Sequence, residues 1–322
     1  MRQSKRFILK LAAFALLNLA IMVSLLLFFS GRNRDIRFKN WETESNLLVT
    51  GENEVYDVAI LGTSRGRVFS RDSNHLTVES ILQKRVINLS KGGGGGLMPA
   101  KVHLSHFYRR GNRANQILYF VDPWIFFCPI NNENNTFFLR DEPFEISILL
   151  DLILNRFPSE RIISYIQMIA VDDWKSISQY AAPGLDKLTL KAIDPLKLEE
   201  AREHYLGLYD YGKFDHYSSF IIDINRLAKQ HNSKITYIML PILMENFPGA
   251  KEVDEKLKKI IENKLTSQDL RDKNSVNYHN LIDKMQDRQF FYDHMHFNNY
   301  GVAHFTKTYL IPILDNPTSV QF

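Results

Sequence analysis

The chain has a single cysteine, Cys128, which excludes an intrachain disulfide and any metal site built from several thiolates. It also lacks a surplus of charge in its body. Lys and Arg number 40 against 36 acids, and the difference is Arg2, Lys5, Arg6 and Lys10, in a ten-residue stretch without an acid. Residues 11–322 are therefore formally neutral, which argues against nucleic-acid binding, because phosphate neutralisation needs a concentrated basic face. No internal repeat is evident, and low complexity is confined to the glycine run at 92–96. With 45% hydrophobic and 24% charged residues over 322 positions, the chain can bury a sizeable core and reads as one large domain, with or without an insertion.

One long apolar run is present. From Leu11 to Phe29 seventeen of nineteen residues are apolar, and a helix of that length spans about 28 Å, one bilayer core. Phe28-Phe29-Ser30 offers a poor cleavage site for a signal peptide, so the run is expected to be an uncleaved anchor. Basic residues flank both sides, with Arg32, Arg34, Arg37 and Lys39 following the run. A short tail inside and a large domain outside is the expected arrangement at a bacterial cell membrane, with a single pass. The expected divisions are a tail over 1–10, the anchor over 11–30, a polar stalk over 31–54 and a domain over 55–322. A second apolar run at Ile117–Ile130 is broken by Asp122 and Pro123.

Within the domain, five short runs rich in β-branched and aliphatic residues predict strands at Val55–Leu61, Arg85–Leu89, Gln116–Val121, Lys234–Leu240 and Val276–Ile282. Helical periodicity lies between and after them at Ser219–His231, Val253–Leu265 and Gly301–Leu314. That alternation predicts an α/β fold, a mostly parallel five-stranded sheet covered on both faces, with ligands at the carboxyl ends of the strands. A segment over 137–213, with helices expected near Glu145–Phe157, Glu160–Val171 and Leu196–Tyr205, is too long for a simple crossover. It is either a helical elaboration of the core or a lid over the site.

Three short segments carry candidate chemistry. Gly62-Thr63-Ser64-Arg65-Gly66 places a serine at a strand-to-helix turn, where it is either a helix cap or an exposed nucleophile. Asn88-Leu89-Ser90-Lys91 precedes the glycine run, whose backbone amides suit an oxyanion hole or a flexible loop. A phosphate loop needs its lysine after the glycines, and Lys91 comes before them. Asp293-His294-Met295-His296-Phe297-Asn298 lets one loop present an imidazole backed by a carboxylate, which would fix its tautomer. Asp-x-x-His is also compatible with a satisfied structural histidine. His294 and His296 lack the companion cluster a zinc site needs, so no metal and no cofactor are expected.

Taken in order, Gly-Thr-Ser after the first strand, Asn-x-x-x-Gly after the second and Asp-x-x-His-x-Asn before the last helix resemble the SGNH/GDSL hydrolase superfamily. The resemblance covers Tyr56 to Leu314 apart from the insertion, and implies a three-layer α/β sandwich. It implies Ser64 as nucleophile, His296 as base and Asp293 as its orienting acid, with the amides of Ser64 and of Gly92 or Gly93 as oxyanion donors. Candidate substrate contacts are Arg65, Asp122, Trp124 and Asn298. The family's asparagine after the third strand is replaced by Val121-Asp122-Pro123-Trp124; Asn131, Asn132, Asn134 or Asn135 are the nearby amides that could substitute. With an anchor, the chain looks most like the envelope-modifying branch that includes alginate O-acetyltransferases and the D-alanine transfer protein. That likeness implies acyl transfer to an envelope polysaccharide or polymer, in partnership with a multi-span membrane O-acyltransferase. A carbohydrate esterase and a non-catalytic envelope scaffold are the alternatives. Trp124, Phe126, Phe127 and Trp174 are candidates for a sugar-stacking surface.

Overall fold

The structure, a computed structural model, describes residues 2–38, 52–92, 95–134, 139, 145–170, 187–266 and 276–315. Strands β1 (Val55–Leu61), β2 (Val86–Asn88), β3 (Arg113–Val121), β4 (Lys234–Met239) and β5 (Val276–Asn280) form one sheet in the order β2-β1-β3-β4-β5, parallel throughout. The expected runs locate all five. β3 begins three residues earlier than expected because Arg113 and Ala114 pair with Val55 and Tyr56 of β1, whereas pairing with β4 begins at Gln116. Pairing with β1 satisfies the backbone of polar residues that pattern alone leaves outside a strand.

The helices are α1 (Arg2–Phe38), α2 (Ser64–Arg67), α3 (Asn74–Leu82), α4 (Leu97–Arg109), α5 (Pro129–Asn132), α6 (Ile146–Leu154), α7 (Ser159–Ala170), α8 (Pro195–Leu208), α9 (Phe214–Gln230), α10 (Ala250–Thr266), α11 (Asn299–Phe305) and α12 (Ile311–Asp315). Inside α1, Gln3–Phe29 is long and apolar enough to cross a membrane. The helix outruns the apolar stretch on both sides, taking in the tail and the start of the stalk as far as Phe38, since extending a formed helix through Lys, Arg and Gln costs little. The expected single helix over Gly301–Leu314 is instead α11, a π turn at Thr306–Leu310, and α12. Pro312 explains the break: it has no N–H to donate and its ring crowds the carbonyl four residues back.

The chain divides into two compact units. One contains α1, α6 and α7 (Met1–Thr43 with Glu142–Tyr180); the other contains the sheet and the remaining helices (Glu44–Asp141 with Ala181–Phe322). The segment expected as one insertion over 137–213 is therefore split, and its third helix, α8, belongs with the sheet.

Alternation along the strands sends side chains to two faces. Val58, Ile60, Leu118, Phe120 and Ile238 point into a core completed by α3, α11 and α12 through Val78, Val302, Phe305 and Ile313. On the other face α4 packs against α9, and two buried tyrosines from neighbouring strands reach this layer. Tyr119 donates to the Gly96 carbonyl at 3.3 Å and Tyr237 to Asn225 Oδ1 at 2.7 Å. Burying a phenol with its hydroxyl satisfied keeps the hydrophobic gain of the ring without an unpaired polar atom.

Candidate active site

Strand order reverses between β1 and β3. The crossover after β1 runs over one face and the crossover after β3 over the other, which opens a crevice at their carboxyl ends. Ser64 stands there. β1 ends at Leu61, Gly62 makes the turn, and Thr63 caps α2 with an extended backbone, its hydroxyl accepting from Arg65 N at 3.3 Å. Ser64 is the first residue of α2 and is half-buried. The turn is held from the glycine run: Lys91 N donates to the Gly62 carbonyl at 3.1 Å. A Cβ on Gly95 would meet Thr63 Cα at 2.8 Å and the Gly62 carbonyl oxygen at 2.9 Å, so only glycine lets this loop lie against the serine turn.

His296 arrives on a narrow loop whose ends, Phe291 and Phe297, are bridged antiparallel and buried in the core. Asp293 organises the loop with both oxygens. Its Oδ1 accepts from Met295 N at 2.8 Å and His296 N at 2.7 Å, and its Oδ2 lies 2.8 Å from His296 Nδ1. Burial alone would raise the Asp293 carboxyl, but the imidazole and the two amides outweigh it and hold the group below the usual carboxylate range. An ionised carboxylate only accepts, so Nδ1 carries a proton and Nε2 presents its lone pair. That nitrogen is 2.8 Å from Ser64 Oγ. The ring of Tyr292 stacks on the imidazole at 5.3 Å and 7°, fixing its plane.

The three residues expected as a triad are thus joined in one hydrogen-bonded line. Of the expected oxyanion donors, Ser64 is at the head of α2 and Gly92 follows Lys91, which is tied to the serine turn; Gly93 lies outside the described residues. His296 is thus engaged at both ring nitrogens, by Asp293 at Nδ1 and by Ser64 at Nε2. Among the described residues no group of three or more His, Cys, Asp or Glu side chains is placed to hold a metal ion.

Four expected substrate contacts are corrected. Arg65 is 1% and Asp122 0% exposed, and they form an ion pair at 2.7 Å beneath the serine. Asp122 also accepts from the Thr63 hydroxyl. The Arg65 guanidinium donates through Nε to the Met295 carbonyl at 2.9 Å and through its second terminal nitrogen to the Pro241 carbonyl. One arginine therefore ties together the turns after β1, β3 and β4 and the histidine loop. Burial raises the Asp122 carboxyl, with Arg65 and Thr63 opposing it. Trp124 is buried in an aromatic cluster, 5.0 Å from the ring of Tyr205 and 5.5 Å from that of Phe247, with the Arg65 guanidinium 5.8 Å from its centroid. Asn298 is buried and caps α11, accepting from Gly301 N at 2.8 Å and donating to the Gln289 carbonyl at 2.9 Å.

The sugar-stacking surface is corrected on the same ground, since Phe126 and Phe127 are also core; Trp174 lies outside the described residues. Asn132 is spent as well. Its Oδ1 accepts from Leu97 N and Met98 N at 2.9 and 3.2 Å, capping α4, and its Nδ2 donates to the Ile125 and Cys128 carbonyls. It has no amide proton left for an oxyanion. Asn131 is half-buried, Asn134 is exposed, and Asn135 lies outside the described residues. Sequence reasoning missed Tyr292 and Tyr205, whose hydroxyl reaches Met295 Sδ at 3.4 Å; the only available signal for Tyr292 was its place beside the Asp-x-x-His segment. Compared with known proteins, the chain matches no family model and no curated sequence.

Proposed function

We propose that the chain is a serine acyltransferase of the SGNH/GDSL type, anchored in a bacterial cell membrane by α1, that moves an acyl group onto a hydroxyl of an envelope polysaccharide or polymer. The observation that carries the enzymatic part is the line Asp293–His296–Ser64, with 2.8 Å at both links, at the switch point of a parallel sheet. Ser64 Oγ attacks the acyl carbonyl as His296 Nε2 takes its proton, and the imidazolium so formed is stabilised by Asp293. The amides of Ser64 and Gly92 would donate to the developing oxyanion. The tetrahedral adduct then expels the donor's leaving group, which takes the proton from His296, and leaves an acyl-Ser64 ester. A polymer hydroxyl, deprotonated by the same imidazole, resolves that ester.

Asp122 stands where the family keeps an asparagine donor and is committed to Arg65 and Thr63. One lost donor costs about 3 kcal/mol of transition-state stabilisation, a slower reaction with the same chemistry. Resemblance to the envelope-modifying branch supports a multi-span membrane O-acyltransferase as the source of the acyl group. Water as acceptor makes the same residues an esterase, and the half-exposed serine favours that as the second reading.

The test is intact-mass detection of a covalent adduct on the full chain in detergent after exposure to a fluorophosphonate or an activated acetyl ester, beside Ser64→Ala. One adduct on the wild type and none on Ser64→Ala is the expected result. A folded wild type that takes no adduct, or a Ser64→Ala protein that labels equally, overturns the proposal.

A further inference from the structure

Helix α6 is apolar on two sides, and only one of them is covered. Ile148 and Leu152 are buried, four residues apart on one face. Ile146, Leu150, Ile153 and Leu154 have relative exposures of 48, 51, 50 and 77%. At about 100° per residue these four fall within an arc of about 100°, one continuous stripe of large aliphatic side chains. Ser147 and Asp151 lie to the side of it. The helix ends in a left-handed residue, Arg156 (φ 59°), after which Phe157 N returns to the Leu152 carbonyl at 2.9 Å and the chain reverses into α7. The Tyr165 hydroxyl of α7 accepts from Glu145 N at 3.0 Å, stapling the two helices as an antiparallel pair. On α7, Ile163 is exposed as well.

This pair belongs to the same compact unit as α1, against which α7 packs. Along Gln3–Phe29 the side chains withdrawn from solvent are Val23 and Leu26, three residues apart on one face near the end of the apolar run. At about 1.5 Å per residue α6 is about 14 Å long, too short to cross a bilayer and suited to lie along its surface. Charged residues, Glu145 before α6 and Arg156, Glu160 and Arg161 around the turn, bracket the apolar stripe rather than interrupt it.

We infer that the Ile146–Leu150–Ile153–Leu154 face of α6 binds the lipid surface, inserting at the boundary between headgroups and acyl chains beside the point where α1 leaves the bilayer. The inference rests on the proposed membrane anchoring by α1 and adds a second, interfacial contact to it. Occupation by lipid, rather than by another protein, is argued from the shared unit, in which α7 packs against both the apolar helix α1 and α6. A face placed there meets acyl chains whether or not a partner is present.

The experiment places an environment-sensitive fluorophore on single introduced cysteines of the full chain in phosphatidylcholine vesicles. Sites are Leu150→Cys and Leu154→Cys on the stripe, Leu17→Cys inside the apolar run, and Glu255→Cys on the exposed side of α10. Native Cys128 is buried, and burial pushes its thiol up to about 12, so the unsubstituted chain serves as the unlabelled blank. The readout is blue shift together with quenching by lipids carrying a spin label high or low on the acyl chain. Labels at 150 and 154 should shift to the blue and be quenched more by the shallow spin label, as expected for a helix lying about 5–10 Å into the interface. The label at 17 should be quenched more by the deep one and the label at 255 by neither. Quenching at 17 without quenching at 150 and 154 overturns the interfacial contact and leaves the anchor standing. Absence of quenching at 17 overturns the anchor itself. As a second measurement, Leu150→Asn with Leu154→Asn should slow amide exchange across α6 less on vesicle addition than the wild type does; equal slowing in both proteins overturns the assignment of these two side chains.

Discussion

Removing Asp122 leaves a buried guanidinium without its counter-ion. Arg65 is 1% exposed, and in Asp122→Ala it keeps the Met295 and Pro241 carbonyls but loses the only carboxylate paired with it among the described residues. A guanidinium stays charged in proteins, so the variant bears the desolvation of an uncompensated ion, about 3–5 kcal/mol. Against a typical domain stability of about 5–15 kcal/mol this is a large loss. Arg65→Met behaves differently, because the group left behind is a carboxyl that can take a proton. Burial already raises Asp122, and removing Arg65 removes the strongest opposing influence, so its folded pKa rises further above the unfolded value of about 3.9. A group raised on folding contributes stability that is full below the unfolded pKa and is lost as pH rises through the folded one. Arg65→Met should therefore be more stable at about pH 5 than at about pH 8, by a margin that Asp122→Ala lacks. The double variant Arg65→Met with Asp122→Ala should be more stable than Asp122→Ala alone, since no charge is left buried. Unfolding of the full chain in detergent, followed by near-UV circular dichroism at the two pH values, measures all three. A loss below about 1 kcal/mol in Asp122→Ala, or a double variant equal to the sum of the singles, would refute a buried coupled pair.

Asp293→Asn should lower the rate of Ser64 acylation by roughly 10³–10⁴, because the amide no longer fixes the tautomer of His296, measured as the adduct rate by mass spectrometry. The same substitution should cost stability at neutral pH. Folding lowers the Asp293 pKa, so that contribution is present above the unfolded value and is lost as pH falls through the folded one; the gap between wild type and variant should begin to close below about pH 4 in unfolding experiments. Gly95→Ala drives a Cβ against Thr63 Cα and the Gly62 carbonyl, and should lose acylation while far-UV dichroism stays unchanged. Asn132→Ala uncaps two amides of α4 and should cost about 1–2 kcal/mol on unfolding, with the acylation rate of the folded protein unaltered.

β1, β3 and β4 were legible because each is a β-branched or aliphatic run ended by a turn former, Gly62 after β1, Asp122-Pro123 after β3 and Pro241 shortly after β4. Ser64, Asp293 and His296 were legible because the acid and base sit on one turn and the serine follows the first strand. Arg65 and Asp122 were not. They are 57 residues apart, and a sequence gives every charge the same prior of solvation; only the tertiary structure puts both beneath the serine. Asn132 was misread for a related reason: an asparagine after the third strand has the chemistry of an oxyanion donor, but its Nδ2 is spent on the Ile125 and Cys128 carbonyls while its Oδ1 caps α4. Periodicity located the helices of the 137–213 segment without saying which neighbours they pack against, and the division between two units follows from contacts that no local pattern encodes.

Ser64 and His296 are 232 residues apart in the chain, and the nucleophile turn comes first. At roughly 5–20 residues per second, synthesis leaves the serine without its base for roughly 10–50 s. During that interval the Arg65 guanidinium also lacks the Pro241 and Met295 carbonyls that later receive it. A nascent or truncated chain therefore carries Ser64 without its histidine partner. Because the same arginine ties the early turn to the late loop, the arrival of the histidine loop completes the packing beneath the serine and the hydrogen bond to it together, so under the proposed function reactivity of Ser64 would report completion of the domain.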